Sequence, residues 1–187
     1  MTETQRLEID GKASLANNIN IIGDGHLVVG PYVEIEPNVL IDLGQAGSIE
    51  IGARSKIKFG SVLRSYDGFL KIGKRSTVGE YSILAGHGGL SIGDAVIIAG
   101  HCYISAADHI FSGSDPIRFQ GETAKGITIS DGVWLGARSV VLDGVVVGEN
   151  TVIAAGGVVT KNLKRDTVCM GTPCKEVKPR IIQKGSE

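Results

Sequence analysis

The feature that most constrains this chain is a period of six residues. Ile129, Leu135, Val141, Val147, Ile153 and Val159 stand six apart, and each is Ile, Leu or Val. Earlier the same ladder runs in triplets: Ile9, Leu15, Ile21; then Val29, Ile35, Ile41; Ile51, Ile57, Leu63; Ile72, Val78, Leu84; and Ile92, Ile98, Ile104. An α-helix turns every 3.6 residues, so a strict period of six cannot stay on one helical face. Four residues after many ladder positions comes a small or β-branched side chain, as at Ser55, Ser61, Ser76, Ser82, Val96, Cys102, Ser139, Val145, Thr151 and Gly157. A glycine often follows the ladder residue directly, as at Gly52, Gly73, Gly79, Gly93, Gly136 and Gly148. A short strand, a permissive turn and another short strand give these columns. Composition agrees: 27 glycines supply the turns, and 5% aromatic content leaves the core to aliphatic side chains of similar size.

The breaks in the ladder carry information. Extra residues fall between Ile21 and Val29, Ile41 and Ile51, Leu63 and Ile72, Leu84 and Ile92, and Ile104 and Ile129. Each lies after the third member of a triplet, so all are expected to stack at one corner. The last is an excursion from Ser105 to Thr128 that contains Phe111, Pro116, Ile117 and Phe119. Loops beyond about 12 to 15 residues in a compact domain are usually functional or disordered, so the site is expected here. His109 sits at the loop's mouth. A surface histidine is the plain reading; the functional one is a general base, since neutral imidazole accepts protons near pH 7. Main-chain N–H groups at the corner are suited to an oxyanion.

Charge and cysteines bound the remaining classes. With 19 basic and 20 acidic residues the net charge is -1, which argues against a nucleic-acid or membrane-surface binder. Cys102, Cys169 and Cys174 form neither a disulfide framework nor a zinc knuckle. The N-terminus MTETQRLEID has no apolar h-region, and no apolar run reaches 18 residues, so cytoplasm is the expected compartment. Residues 161–187 hold seven basic and three acidic side chains, a local positive excess suited to phosphates or to a solvated terminus. The expected organisation is a single domain over 1–187: an N-terminal extension at 1–8, a repeat body at 9–163 and a tail at 164–187.

The pattern [ILV]-[GA]-x-x-[STV]-x resembles the hexapeptide repeat of the left-handed parallel β-helix. That resemblance implies an all-β prism of about seven triangular coils, one long loop at about 105–128 and a short C-terminal tail. Asp108-His109, Pro116-Ile117, Gln120-Gly121, the run from Ile129 through Trp134 to Ala137, Ala154 to Lys161, and Gly171 to Lys175 resemble the galactoside, maltose and lipopolysaccharide O-acetyltransferases. The match is most specific over 92–178. It implies an acetyltransferase in which His109 is the catalytic base. Acetyl-CoA enters as co-substrate rather than as a resident cofactor, with no metal, and contacts fall on Ala137, Ala155, Thr160, Lys161, Lys175 and Lys178. It implies a sugar-type acceptor and a homotrimer with sites at subunit junctions. Lys175 and Lys178 stand where the galactoside enzymes carry Arg, so a phosphate would meet point charges rather than a bidentate fork. The family's acceptor-binding Asn falls near Glu80, so sugar contacts do not transfer directly. His87, Glu80 and Tyr81 are the acceptor candidates. Trp134, the sole tryptophan, is read as intersubunit packing or as an acceptor or pantetheine contact.

Rival readings remain at this stage. A γ-carbonic-anhydrase-type metalloenzyme shares the fold but needs three converging imidazoles, and the spacings of His26, His87, His101 and His109 do not match that family. A non-catalytic β-helix used for assembly is the second. N-acetylation of an amino sugar is the third. The acceptor and the part played by Asp108 stay open.

Overall fold

The computed structural model describes residues 6–181. Three parallel sheets form the faces of a triangular prism. The first face stacks Arg6–Ile9, His26–Val29, Ser48–Ile51, Phe69–Ile72, Leu90–Ile92, Ile127–Ile129 and Val146–Val147. The second stacks Ser14–Leu15, Glu34–Ile35, Lys56–Ile57, Thr77–Val78, Ile97–Ile98, Trp134–Leu135, Val152–Ile153 and Thr167–Met170. The third stacks Asn20–Ile22, Leu40–Asp42, Val62–Arg64, Ile83–Ala85, Tyr103–Ser105, Val140–Val141 and Val158–Val159. The chain thus forms an all-β, left-handed parallel β-helix. The described residues make seven complete coils and a partial eighth, where Leu163 bridges Val147 and Thr167–Met170 pairs with Val152–Ile153.

The coil boundaries differ in detail from the sequence reading. Arg6 to Glu8, inside the stretch read as an extension, stand in the first strand against His26 to Val28. Thr167–Met170, read as tail, is a layer of the second face, and Lys175–Pro179 folds back antiparallel along it. Residues 1–5 and 182–187 lie outside the described residues. The long loop is shorter at both ends, because Ser105 still pairs with Ala85 and the ladder resumes at Ile127 against Leu90.

The ladder is the core. Every ladder residue from Val29 to Val159 is buried, 3% exposed or less. In the first coil Leu15 and Ile21 are half-buried and Ile9 is exposed, because no described coil lies above them. The second column turns inward too, and its hydroxyls bind one coil to the next. Ser55, Ser61, Ser76 and Ser82 donate to the carbonyls of Gly73, Gly79, Gly93 and Ala99 at 2.7 to 3.0 Å. Ser55, Ser76 and Ser82 also accept from the main-chain N–H of Ser76, Val96 and Cys102. A short β-turn leaves such groups without a strand partner, and the hydroxyl supplies one inside the prism.

The corner between the third and first faces collects the insertions, as the ladder implies. Layers there touch backbone to backbone. A Cβ on Gly44, which has φ +62, would lie 1.9 Å from the Tyr66 carbonyl oxygen, so only glycine fits. Ser76→Ala removes a buried hydroxyl that serves both Gly93 and Val96. It is expected to cost about 1 to 3 kcal/mol of unfolding free energy, read as a lower urea midpoint with unchanged slope. An unchanged midpoint would show that the corner hydroxyls do not stabilise the stack.

Candidate active site

The insertion corner carries a cleft of about 290 Å³ lined by Tyr66, His87, Tyr103, Ser105, Ala107, Asp108, His109 and Glu122. The long loop shapes it by folding back on itself. Asp108–His109 pairs antiparallel with Glu122–Thr123, with His109 directly opposite Glu122. Between them Ile117–Phe119 makes a single 3-10 turn. The Gln120 side chain ties the loop together, accepting from Gly113 N–H at 2.8 Å and donating to the Asp115 carbonyl. Asp143, one coil further on, clamps the base. Its carboxylate accepts from Thr123 Oγ1 at 3.0 Å and from the N–H groups of Lys125 and Gly126 at 2.9 to 3.0 Å.

His109 reaches into this cleft as an exposed imidazole. Its Nδ1 lies 3.4 Å from Glu122 Oε1. A carboxylate beside one ring nitrogen can orient an imidazole and favour the tautomer whose other nitrogen accepts a proton, and here that other nitrogen is Nε2. Asp108 lines the same cleft, but the carboxylate facing the imidazole belongs to Glu122. Sequence reasoning missed Glu122 because it lies 13 positions beyond His109, across a loop whose fold the hexad does not specify. Tyr66 and Tyr103 were missed for a related reason: their approach to His109 depends on which coils stack at this corner.

His87 stands one layer above His109 and stacks on Tyr66, with ring centroids 3.6 Å apart and planes 23° from parallel. Its Nδ1 is buried without a hydrogen-bond partner. Burial pushes this imidazole below the usual histidine value of 6.5, against the opposing pull of the Glu122 carboxylate.

The other expected residues lie elsewhere. Glu80 and Tyr81 sit at the corner between the second and third faces, where Glu80 pairs with Lys58 at 3.0 Å and Tyr81 stacks on His101. Trp134 stands on the second face beside Ile97, and the two are 50% and 53% exposed. Within one chain, therefore, His87 joins His109 and the other three acceptor candidates do not. Ala137 and Ala155 fall on successive turns at the same corner as Glu80, with Gly156 N–H donating to the Ala137 carbonyl. The terminal turn packs nearby: Val158 N–H donates to Gly171, and Cys174 N–H donates to Val158. This gathers Ala155, Thr160, Lys161 and Lys175 at the C-terminal end of the prism. Lys178 follows on the last strand. Among the described residues, none of Lys161, Lys175 and Lys178 forms an ion pair within 4.0 Å. The described residues contain no group of three His, Cys, Asp or Glu placed to hold a metal ion, and no helix long and apolar enough to cross a membrane.

Comparison with known proteins agrees with this architecture. Residues 126–161 match the model for bacterial transferase hexapeptide repeats (six repeats). A probable acetyltransferase of Mycobacterium tuberculosis is 29% identical over 166 residues, covering 88% of this chain and 54% of that protein. The chain thus spans about half of that relative's length. An N-acyltransferase from Bacillus cereus, solved with dTDP-4-amino-4,6-dideoxyglucose and coenzyme A, superposes with a TM-score of 0.65 at 20% identity, over 94% of this chain and 84% of that one. A maltose O-acetyltransferase from Clostridium difficile superposes with a TM-score of 0.57 at 25% identity, over 81% and 68%. The fold is that of a parallel β-helix, and residues 126–161 are similar to bacterial transferase hexapeptide repeats. Within that class the chain resembles the acetyl- and acyltransferases.

The depressed His87 value gives a check on the site's electrostatics. Its imidazole proton resonances are expected to titrate with a midpoint below 6.5. Because the folded value lies below the unfolded one, folding stability is fully present above about pH 6.5 and declines as pH falls through the folded value. A midpoint at or above 6.5 would mean that Glu122, not burial, governs this ring.

Proposed function

We propose that this protein transfers an acyl group from acyl-CoA, with acetyl-CoA as donor, directly to a hydroxyl of a sugar or sugar-containing acceptor. The observation that carries the reading is the His109–Glu122 pair in a cleft at the one corner that interrupts the ladder. His109 Nε2 takes the proton as the acceptor oxygen attacks the thioester carbonyl carbon. A C–O bond forms and the tetrahedral intermediate collapses. The C–S bond breaks, and the imidazolium returns the proton to the departing thiolate. Glu122 holds the ring and offsets its transient positive charge. No covalent enzyme intermediate is needed.

The donor residues and His109 border opposite edges of the third face. Side-by-side packing of three copies would set one protomer's insertion edge against its neighbour's donor edge. Exposed Ile97 and Trp134 on the second face, and Ile83 and Tyr103 on the third, at 37 and 44% exposure, support such packing. In this reading Ala137 and Ala155 border the pantetheine groove. Thr160 and Lys161 follow it, and the free ammonium groups of Lys161, Lys175 and Lys178 meet the coenzyme's phosphates. A homotrimer in the cytoplasm, where the donor is made, fits these features.

Similarity to an N-acyltransferase with an amino-sugar ligand keeps amine acylation as the second reading, served by the same base. A thiol-release assay with acetyl-CoA against sugars, amino sugars and nucleotide sugars separates the two. Failure to bind any coenzyme A thioester would leave only an assembly module.

His109→Ala is expected to lower turnover by about two to four orders of magnitude with little change in coenzyme A affinity. Glu122→Gln should keep part of the activity and move its pH dependence. Near-normal turnover of His109→Ala removes this ring from the chemistry. Lys161→Ala should raise the donor KM and weaken coenzyme A binding more than binding of its 3′-dephospho form. Equal losses would show that the 3′-phosphate is not its partner.

A further inference from the structure

The two ends of the prism differ. At the C-terminal end Lys175–Pro179 folds back along Thr167–Met170, and the last inward side chains, Leu163 and Cys169, are 7% and 0% exposed. At the N-terminal end the inward side chains are Leu7, Ile9, Ala13, Leu15, Ile19 and Ile21. Leu7 and Ile9 are 43% and 39% exposed and the other four are half-buried. Their partners one coil on, among them Leu27, Val29, Ile35 and Ile41, are 3% exposed or less. Terminal repeats of a stack normally turn a polar face outward. The first coil instead has the composition of a core, with no layer above it among the described residues.

The same end presents three open strand edges. Arg6–Ile9, Ser14–Leu15 and Asn20–Ile22 each stand last in their sheet and pair on one side only. Natural edges are commonly guarded by an inward charge, a proline or a bulge. Residues 6–22 contain no proline, their inward positions are all aliphatic, and their register with the second coil runs without a shift. Their charges, Arg6 and Lys12 against Glu8 and Asp10, cancel, so two such ends can meet without net repulsion.

The triangular opening selects what covers it. Residues 1–5, Met-Thr-Glu-Thr-Gln, bring a single apolar side chain, whereas one coil takes three hexads. A lone peptide strand would pair with one edge and leave two. A second copy of the first coil, turned over by a two-fold axis across the prism, meets all three edges at once and covers the six aliphatic side chains of each copy. Turned over, a left-handed coil stays left-handed but runs the opposite way round the shared triangle, so each new strand pair is antiparallel. The C-terminal end already has its last inward side chains covered, so stacking stops at two.

We propose that the N-terminal end is an interface for a second copy of this chain, joined head to head through the first coil. It depends neither on the acyl-transfer reading nor on how many copies pack side by side. Light scattering on the full chain, compared with Leu7→Glu combined with Ile9→Glu, tests it. The full chain should have twice the mass of that variant, and both should show the same far-UV circular dichroism. Amide exchange in the unaltered protein gives a second measure. Residues 6–22 should exchange about as slowly as residues 26–42, and roughly tenfold faster or more in the variant. If the double substitution loses its cooperative melt, Leu7→Ser alone replaces it. Removing residues 1–5 should leave the doubled mass intact. Equal masses for the full chain and the variant, or fast exchange of residues 6–22 in the full chain, overturns the interface. A doubling that appears only after residues 1–5 are removed also overturns it, since that segment would then be the cover.

Discussion

Everything in this molecule depends on aliphatic side chains stacking on their own equivalents one coil away. The hexad works because a triangular coil returns each ladder residue to the same face at nearly the same height. Ile98 meets Val78 above and Leu135 below, although 20 and 37 residues separate them in sequence. Serine hydroxyls at the corners answer the backbone groups that a short turn leaves unpaired. Hydrophobic stacking alone would tolerate slippage; the hydroxyl-to-carbonyl contacts penalise it, because a shifted coil would bury those donors unpaired.

This uniform body makes one corner available for chemistry. All three faces and two corners remain regular, while the third corner accepts insertions without disturbing the inward columns. The loop that bears His109 leaves and rejoins the ladder between Ser105 and Ile127. Its return strand delivers Glu122 to the imidazole. Rigid layers above and below hold His87 and Tyr66 in place, so the cleft combines an exposed imidazole, His109, with a partly buried second one. The two rings differ because one faces solvent and a carboxylate, and the other is packed against an aromatic face.

What the sequence reveals follows from what repeats. The ladder, the second column and the stacking of insertions could all be read directly, since each is a period-six statement about the backbone path. His109 was legible because it opens the one long interruption. Glu122 was not, because a ribbon inside a loop answers to no period. Tyr66 and Tyr103 belong to different coils, and their convergence needs the number of residues in each corner rather than a motif. Glu80 and Tyr81 lie at another corner of their own chain, Tyr81 stacked on His101, and a motif position alone does not specify which corner of the stack it falls on. The eighth layer escaped notice because the step from Val159 to Leu163 is two residues short of the hexad, and only then does the six-residue spacing resume from Leu163 to Cys169.

Asp143 adds a matter of timing to this geometry. The carboxylate that anchors the loop's return strand belongs to the turn that comes after the loop in the chain. A ribosome that has delivered only the first 140 residues has therefore made His109 and Glu122 but not the peg that seats their ribbon. The anchor arrives from downstream, one winding late, so the fold of this loop is finished by a residue made after it.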